Sequence, residues 1–241
     1  MRPSHALATT LSHAQEVAGT QRIFSGSEDG GDAELYFDTG NEIIQITDND
    51  RDDLFPAIDT SSGDMVWQSH VDGNWQIYTA NLNSTSTMRV SAELTNSTNP
   101  QISDGYIVWQ QWNTDHWDVV LASIEDYSTE SPLRLTNSGE HSMMPKISRG
   151  LITWQALVDA NWQIFLYDID AKTTTQLSQS DARHEDPQFL LTWRERGADG
   201  SVKVKAYDTT KSEVVDIGRA LPEPKPRDLP REGSNLPTED A

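Results

Sequence analysis

The sequence predicts an all-β fold, a β-propeller of about five four-stranded antiparallel blades, because two spacings recur along the chain. In the first, a Trp-Gln pair is followed by a second Trp eight residues after the first; the pairs of Trp are Trp67 and Trp75, Trp109 and Trp117, and Trp154 and Trp162. In the second, a Ser or Thr precedes a Pro by nine residues; these are Thr47 and Pro56, Ser91 and Pro100, Thr136 and Pro145, and Ser178 and Pro187. Units of about 40–45 residues that each hold four strand-like runs are typical of propellers.

The repeat divides the chain into five units, at about residues 12–47, 48–91, 92–136, 137–178 and 179–218. The three central units match one another closely, whereas the first and the last are weakened copies. Residues 1–11 are predicted to be a flexible N-terminal segment, and residues 12–218 the propeller. Residues 219–241 are rich in Pro and charge and contain no aromatic residue, so they are predicted to form a disordered tail.

The third unit shows the four strands of a blade in order, as "PQIS", "YIVWQQW", "WDVVLASI" and "PLRLT". Val, Ile, Tyr, Trp and Thr favour strands, and pairs such as Asp72-Gly73 and Asp104-Gly105 supply the positive φ angles of tight hairpins. The two middle runs are almost continuously apolar, which predicts burial on both faces. Both sets of Trp are therefore predicted to fill the wedge between neighbouring blades, and the alternative, an aromatic binding platform, stays open.

The composition excludes several classes of partner. The chain has 38 acidic and 18 basic residues, a net charge of -20, so it repels nucleic acid and anionic lipid. No apolar run is long enough for a membrane span, and we expect no membrane insertion. There is no cysteine and no clear signal peptide. The acidic composition favours a saline or extracytoplasmic setting: periplasmic, secreted or at the cell surface. The oligomeric state stays open.

The repeated unit resembles that of a known family. The pattern P-x-I-S-x-G-x-I-V-W-Q, followed by G-N-W-Q-I-Y, resembles the TolB-like, WD-repeat-like β-propeller repeat of bacterial and archaeal periplasmic and cell-surface proteins. The resemblance covers about residues 12–218 and is strongest in the central units. It implies a propeller and a tendency to bind proteins, but no activity. The sequence departs from TolB in its blade count, since six blades are usual there, and in lacking TolB's additional N-terminal domain.

Variable loops within this constant pattern are the predicted binding site. The loops after the Trp-Gln pairs read "SHVDG", "QWNTD" and "ALVDA", and strand order places them on the same face as the loops that connect successive blades. The favoured function is therefore a non-enzymatic scaffold that binds a protein or glycan partner through this face. The candidate binding residues are Asp52, Asp53, His70, Trp112, His116, His141 and His184.

Three other kinds of site are weaker alternatives. Asp48, Asp50 and Asp52 alternate as calcium ligands do, but the turn Gly and the distal acid of a calcium loop are missing. His141 and His184 lie in adjacent connecting loops, and the alternative of a transition metal held between them needs further ligands. A carbohydrate-active enzyme, a glycosidase or lyase, would need paired carboxylates or such a metal in the propeller funnel, where Asp59 is the acid of the innermost strands. No serine-triad, nucleotide-phosphate or HExxH motif is present.

Overall fold

The structure, a computed structural model, describes residues 10–16, 21–27, 30–84, 86–92, 94–126, 131–179, 181–189, 191–196, 202–208 and 213–219. The chain divides into two compact units, Met1–Phe189 and Leu190–Ala241. The described residues of the first unit form four antiparallel sheets, each of four strands in chain order. Among the residues that the structure describes, no helix is long and apolar enough to span a membrane.

The first two sheets lie at the start of the chain. The first contains β1 Thr10–Glu16, β2 Arg22–Ser27, β3 Glu34–Asp38 and β4 Ile43–Gln45. The second contains β5 Asp53–Asp59, β6 Asp64–Val71, β7 Asn74–Asn81 and β8 Met88–Arg89.

The third and fourth sheets repeat the second with little change. The third contains β9 Ser97–Ser103, β10 Tyr106–Asn113, β11 His116–Ser123 and β12 Leu133–Arg134. The fourth contains β13 Ser142–Ser148, β14 Leu151–Val158, β15 Asn161–Asp168 and β16 Thr173–Gln176.

The second unit of the chain contains one sheet of three strands: β17 Leu191–Arg196, β18 Val202–Asp208 and β19 Glu213–Arg219. The predicted fifth blade thus has three strands among the described residues rather than four. β1 begins at Thr10, within the segment 1–11 that was predicted to be flexible; the remainder of that segment, 1–9, and residues 220–241 of the predicted tail lie outside the described residues.

The recurring Pro marks a bulge in the first strand of the second, third and fourth sheets, and Pro187 repeats the same backbone conformation in the segment that follows the fourth sheet. The residue before each Pro has a positive φ: 53° at Phe55, 58° at Asn99, 56° at Met144 and 51° at Asp186. The strand register shifts at the first three of these places. A bulge turns one backbone N–H out of the ladder, and this donor needs another acceptor.

The Gln of each Trp-Gln pair supplies that acceptor from the preceding sheet. Its Oε1 accepts from a bulge N–H of the following repeat; the pairs are Gln68 with Asn99 at 3.0 Å, Gln110 with Met144 at 2.9 Å, and Gln155 with Asp186 at 2.8 Å. Trp-Gln and Pro therefore recur because one sheet satisfies the bulge of the next.

The recurring Ser or Thr satisfies a third-strand donor. Its hydroxyl oxygen accepts from a backbone N–H at 2.9 Å in all four sheets; the pairs are Thr47 with Leu35, Ser91 with Ile77, Thr136 with Val119, and Ser178 with Ile164. The last strands are short, so a side chain takes the place of a ladder partner at this point.

The first set of Trp packs between sheets, as predicted. Trp67, Trp109 and Trp154 are at most 2% exposed. Trp109 packs against Val66 and Ile77 of the second sheet, and Trp154 packs in the same way against the third. Trp75, Trp117 and Trp162 of the second set lie at the start of the third strands and are only half-buried, so the structure buries the second set less completely than the first.

Candidate functional site

One end of the sheets carries the variable loops, and we call it the loop end. The hairpins between second and third strands lie there beside the segments that connect one sheet to the next. An equivalent backbone hydrogen bond fixes this in three sheets: the N–H donors of His70, Trp112 and Leu157 reach the carbonyls of Asp52, Asn96 and His141 at 2.9, 2.7 and 2.8 Å. Because the backbone carries this contact, the side chain at the donor position is free to differ.

In the third sheet this variable side chain forms an aromatic cluster, which consists of Trp112, Trp117 and His141. The Trp112 ring meets Trp117 edge-on at 5.2 Å between centroids and His141 at 6.1 Å. All three side chains are half-buried. The structure therefore brings two of the predicted residues, Trp112 and His141, together with a Trp that was assigned to the core.

His141 holds the cluster in place through its imidazole. Its Nδ1 lies 3.3 Å from the backbone N of Trp117. A backbone N–H can only donate, so Nδ1 accepts and carries no proton. Asn96 occupies the equivalent position one sheet earlier, where its Oδ1 accepts from the N–H of Trp75 at 2.9 Å. An amide therefore satisfies the fold at this position, and the imidazole ring adds an aromatic surface.

On the opposite face of the same hairpin lies a second group, the carboxylate cluster of His116, Asp118 and Arg134; His116 and Asp118 alternate with Trp117 along the strand. The Asp118 carboxylate is fully buried. Its Oδ1 accepts from the Thr136 hydroxyl at 2.8 Å, and its Oδ2 lies 3.2 Å from Asn113 Nδ2, 3.3 Å from His116 Nε2 and 3.5 Å from Arg134 Nη1. One guanidinium, one imidazole and two neutral donors thus surround one buried carboxylate.

The neighbouring sheets show that the fold does not require this charge. Gln76 and Gln163 stand where the third sheet has Asp118, and their Oε1 atoms accept the equivalent hydroxyls of Ser91 and Ser178 at 2.9 and 2.8 Å. A neutral acceptor is therefore sufficient. Since a buried carboxylate costs desolvation, Asp118 is an exception that points to a role beyond folding.

Asp115 adds an exposed carboxylate at the rim of the aromatic cluster. Its Oδ1 lies 2.8 Å from His116 Nδ1, and its side chain is 82% exposed. The hydrogen bond to His116 holds the pKa of Asp115 below its usual value. This rim therefore presents a negative charge beside aromatic rings.

The remaining histidine candidates lie apart from this cluster. His70 is exposed and packs on Trp75, with centroids 5.0 Å apart. The backbone N–H of His184 donates to the Trp162 carbonyl at 2.9 Å. Each thus accompanies the rim Trp of its own sheet, the second or the fourth.

The predicted Asp residues belong to the connection between the first two sheets. Asp52 Oδ1 accepts from the Ala33 N–H at 2.9 Å, whereas Asp48 and Asp50 are exposed. Asp53 is 1% exposed; its Oδ1 accepts from Trp67 Nε1 at 3.2 Å and its Oδ2 from Asn49 Nδ2 at 2.8 Å.

No group of three or more His, Asp or Glu side chains among the described residues is arranged to hold a metal ion. Calcium at Asp48, Asp50 and Asp52, and a metal between His141 and His184, stay predictions without a ligand set in this part of the chain. Asp59 serves a turn instead: burial opposes its charge, but hydrogen bonds from Ser61 and Asp104 outweigh this and lower its pKa. A general acid needs the opposite shift.

The sequence analysis did not predict three of the residues described above: Asp118, Glu34, and Trp117 as a partly exposed residue. Asp118 carries a signal in the aligned repeat, because the residue before the third-strand donor is Glu34, Gln76, Asp118 or Gln163 in the four copies. Glu34 carries the same signal, an acid where two of the copies have Gln. Its contact with Asn49, 2.6 Å from Oε1 to the backbone N, joins residues 15 positions apart.

Comparisons with known proteins agree on the fold. No family model matches the chain, and no curated protein does. Among solved structures, TolB of Acinetobacter baumannii is 13% identical with a TM-score of 0.53; the alignment covers 81% of this chain and 51% of TolB. The β-propeller domain of the Trilobed protease of Pyrococcus furiosus is 11% identical with a TM-score of 0.56, covering 87% of this chain and 70% of that domain.

A peptidase is also structurally similar to this chain. The puromycin-hydrolysing peptidase of Mycobacterium tuberculosis is 13% identical with a TM-score of 0.58, and the alignment covers 90% of this chain but 39% of the peptidase. The chain thus spans about half of the TolB chain and less of the peptidase. Together with the repeated sheets, these likenesses define a β-propeller. More particularly, the fold is TolB-like, as the repeat predicted.

Proposed function

We propose that this protein is a non-enzymatic binding module that takes a protein or glycan partner at the loop end of its third sheet. The single observation that supports this is the aromatic cluster of Trp112, Trp117 and His141, built at a position where the backbone is constant and the side chain varies. Aromatic rings offer a large contact area at small cost in side-chain entropy, and they suit sugar rings as well as apolar side chains.

The surrounding groups add polar specificity to this surface. Asp115 presents a carboxylate at the rim, and Arg134 reaches the buried Asp118 with its own side chain 39% exposed. A partner that covers the rings would therefore meet the Asp115 carboxylate at the edge, and the Arg134 guanidinium on the opposite face of the same hairpin stays outside this contact. An apolar centre with a polar edge is the usual anatomy of a binding surface.

Substitution of Trp112 by Leu tests the proposal, because Leu157 occupies the equivalent position in the fourth sheet. We expect W112L to unfold like the wild type but to lose at least about tenfold in affinity, as removal of an aromatic anchor commonly does. The measurement is tryptophan fluorescence titration with neutral oligosaccharides and with peptides, both screened on arrays beforehand. His70→Ala, at the equivalent position of the second sheet, is the matched control. Equal binding by W112L and wild type would refute the site.

A carbohydrate-active enzyme is the second candidate function, and one observation favours it. Burial raises the pKa of Glu34, and the nearby Asp53 carboxylate adds to this shift. The two carboxylates share the Asn49 amide, whose Nδ2 lies 3.5 and 2.8 Å from their oxygens. One protonated and one ionised acid is what glycoside hydrolysis needs. However, both are buried, which keeps a polysaccharide away. Hydrolysis of aryl glycosides that Glu34→Gln abolishes would establish this alternative instead.

A periplasmic, secreted or cell-surface location is part of the proposal. The net charge of -20 supports it, because such a surface suits a saline exterior. Fractionation of cells that produce the full-length protein tests the location, and recovery in the cytoplasm alone would contradict it.

A further inference from the structure

A second site lies in the wedge between the first and second sheets. A cavity of about 200 Å³ opens there, bounded by the connecting segment Ile46–Arg51 and by the face of the second sheet that points toward the first. Asp53, Trp67, Ser69 and Tyr78 line it. They share one face, because Asp53 pairs with Ser69 and Trp67 with Tyr78 across the strands.

One polar atom in this lining has no partner. Ser69 is 2% exposed, and its buried hydroxyl makes no hydrogen bond in the described part of the chain. A buried hydroxyl without a partner costs free energy, and a ligand in the cavity can remove that cost. The equivalent residues are Gln111 and Ala156 in the third and fourth sheets, so the fold does not require a hydroxyl at this position.

The buried carboxylate beside it is also an exception to the repeat. Ser97 and Ser142 stand where the second sheet has Asp53, each at the start of the first strand. Each Asp53 oxygen accepts one hydrogen bond, from Trp67 or from Asn49, and keeps a second lone pair. A ligand that donates two hydrogen bonds to the Asp53 carboxylate and one to the Ser69 hydroxyl would therefore satisfy the hydrogen-bonding capacity of both side chains.

The charge of the cavity decides between a neutral donor and a cation. Asp48 and Asp53 line it, and Glu34 joins Asp53 through Asn49. Arg51 is the one cationic residue in the lining; its guanidinium lies over the Tyr78 ring at 5.6 Å, and its Nε bonds to Asn49. An ammonium group has three donors and a positive charge, and the aromatic walls of Trp67 and Tyr78 suit its alkyl stem.

From these contacts we propose that the cavity binds a primary alkylammonium group, with Asp53 and Ser69 as its hydrogen-bond acceptors. The volume is sufficient, since a cavity of about 150 Å³ holds benzene and a lysyl stem with its ammonium is no larger. The group can come from a free alkyl amine or from a lysine side chain. This site shares no residue with the aromatic cluster and does not depend on the proposed function.

The test is isothermal titration calorimetry of the full chain with three probes at equal pH and ionic strength. The probes are 1,5-diaminopentane, a short peptide with one lysine and blocked ends, and 1,5-pentanediol as the neutral control. Binding of both amines supports the site and makes a polypeptide lysine a possible source. Binding of the diamine alone supports it with a free amine as the source. Binding of neither amine, or equal binding of the diol, overturns the proposal.

Two substitutions test the acceptors. Asp53→Ser introduces the residue that the third and fourth sheets carry, and we expect it to weaken amine binding by at least about tenfold, the usual scale for a lost charged hydrogen bond. Ser69→Ala removes only the orphan hydroxyl and should weaken binding about threefold to tenfold while the fold persists. Unchanged amine affinity in folded S69A and D53S would overturn the assignment.

Arg51→Ala determines the sign of the ligand's charge. If the ligand is a cation, removal of the neighbouring guanidinium relieves repulsion, and amine affinity rises severalfold. If Arg51 instead anchors an anion, R51A gains nothing for amines and loses binding of acetate, and this result would overturn the proposal. Ser97→Ala is the matched control, because it removes a buried hydroxyl of the third sheet that has no hydrogen-bond partner among the described residues and does not line the cavity, and it should leave amine binding at the wild-type value.

Discussion

The second and third sheets share one framework but each contains a buried carboxylate that its neighbours lack. In the second sheet it is Asp53, where the next two sheets have Ser97 and Ser142. In the third it is Asp118, where the sheets on either side have Gln76 and Gln163. The repeated sheets can therefore be compared with one another. A residue that all of them share serves the fold, whereas a buried charge that the neighbouring sheets lack indicates a candidate binding site.

The shared framework should carry the largest effects on stability. Trp109→Ala removes a fully buried ring between the second and third sheets, and we expect the free energy of unfolding to fall by about 3–5 kcal/mol. Trp117→Ala, at the half-buried rim of the same sheet, should cost about 1 kcal/mol. Urea unfolding measures both. Equal losses would mean that the rim Trp belongs to the core.

The buried Asp118 should show a smaller effect that depends on the replacement. Asp118→Ala leaves the Thr136 hydroxyl, His116 and Arg134 without their acceptor, and we expect a loss of about 2–3 kcal/mol. Asp118→Gln introduces the residue of the neighbouring sheets and should cost less than about 1 kcal/mol, measured by urea unfolding. If Gln costs as much as Ala, the charge is part of the fold and the comparison between sheets fails.

His141 separates a structural role from a binding role. His141→Ala removes the acceptor of the Trp117 N–H, which should cost about 1 kcal/mol in thermal or urea unfolding. His141→Asn should retain most of this stability, because Asn96 makes the same contact with Trp75. A loss in H141N equal to that in H141A would show that the ring itself stabilises the loop.

The smallest effect concerns Glu34 and depends on pH. Burial raises its pKa above the usual 4.5 in the folded state, so folding favours the protonated form. Stability is therefore greatest below the unfolded pKa and declines as the pH rises through the raised folded pKa. Glu34→Gln removes this decline and should melt about 1–3 °C above the wild type at pH 7, with no difference at pH 4.

Asp53 provides a check on this explanation, because its carboxylate contributes to the shift. In an Asp53→Ser background, calorimetric melting curves should show a smaller gain from Glu34→Gln at pH 7. A gain that is equal at pH 4 and pH 7 would mean that the charge of Glu34 is not its cause.

The sequence by itself determined the repeating unit and most of its local structure. Asp104-Gly105 and Asp72-Gly73 predicted tight hairpins, and both residues of each pair do have positive φ angles. The recurring residues, Trp-Gln, Ser or Thr, and Pro, were predicted to occupy equivalent positions in successive sheets. The structure shows that the Gln and the Ser or Thr make the same hydrogen bond in each sheet that contains them, and that the residue before each Pro has a positive φ. These features were readable because local backbone requirements repeat at a fixed spacing.

The tertiary structure alone decided which side chains meet and which charges are buried. Trp117 was predicted to pack between sheets as Trp109 does, but it lies at the start of its strand and is only half-buried. Glu34 and Asp53 lie 19 positions apart in the chain and share one Asn49 side chain. Desolvation depends on neighbours from several strands, and no short stretch of sequence contains them. The cavity beside Ser69 is formed where the first and second sheets pack against each other. Contacts between two sheets produce no repeating pattern in the sequence of either one, so the sequence did not predict the cavity.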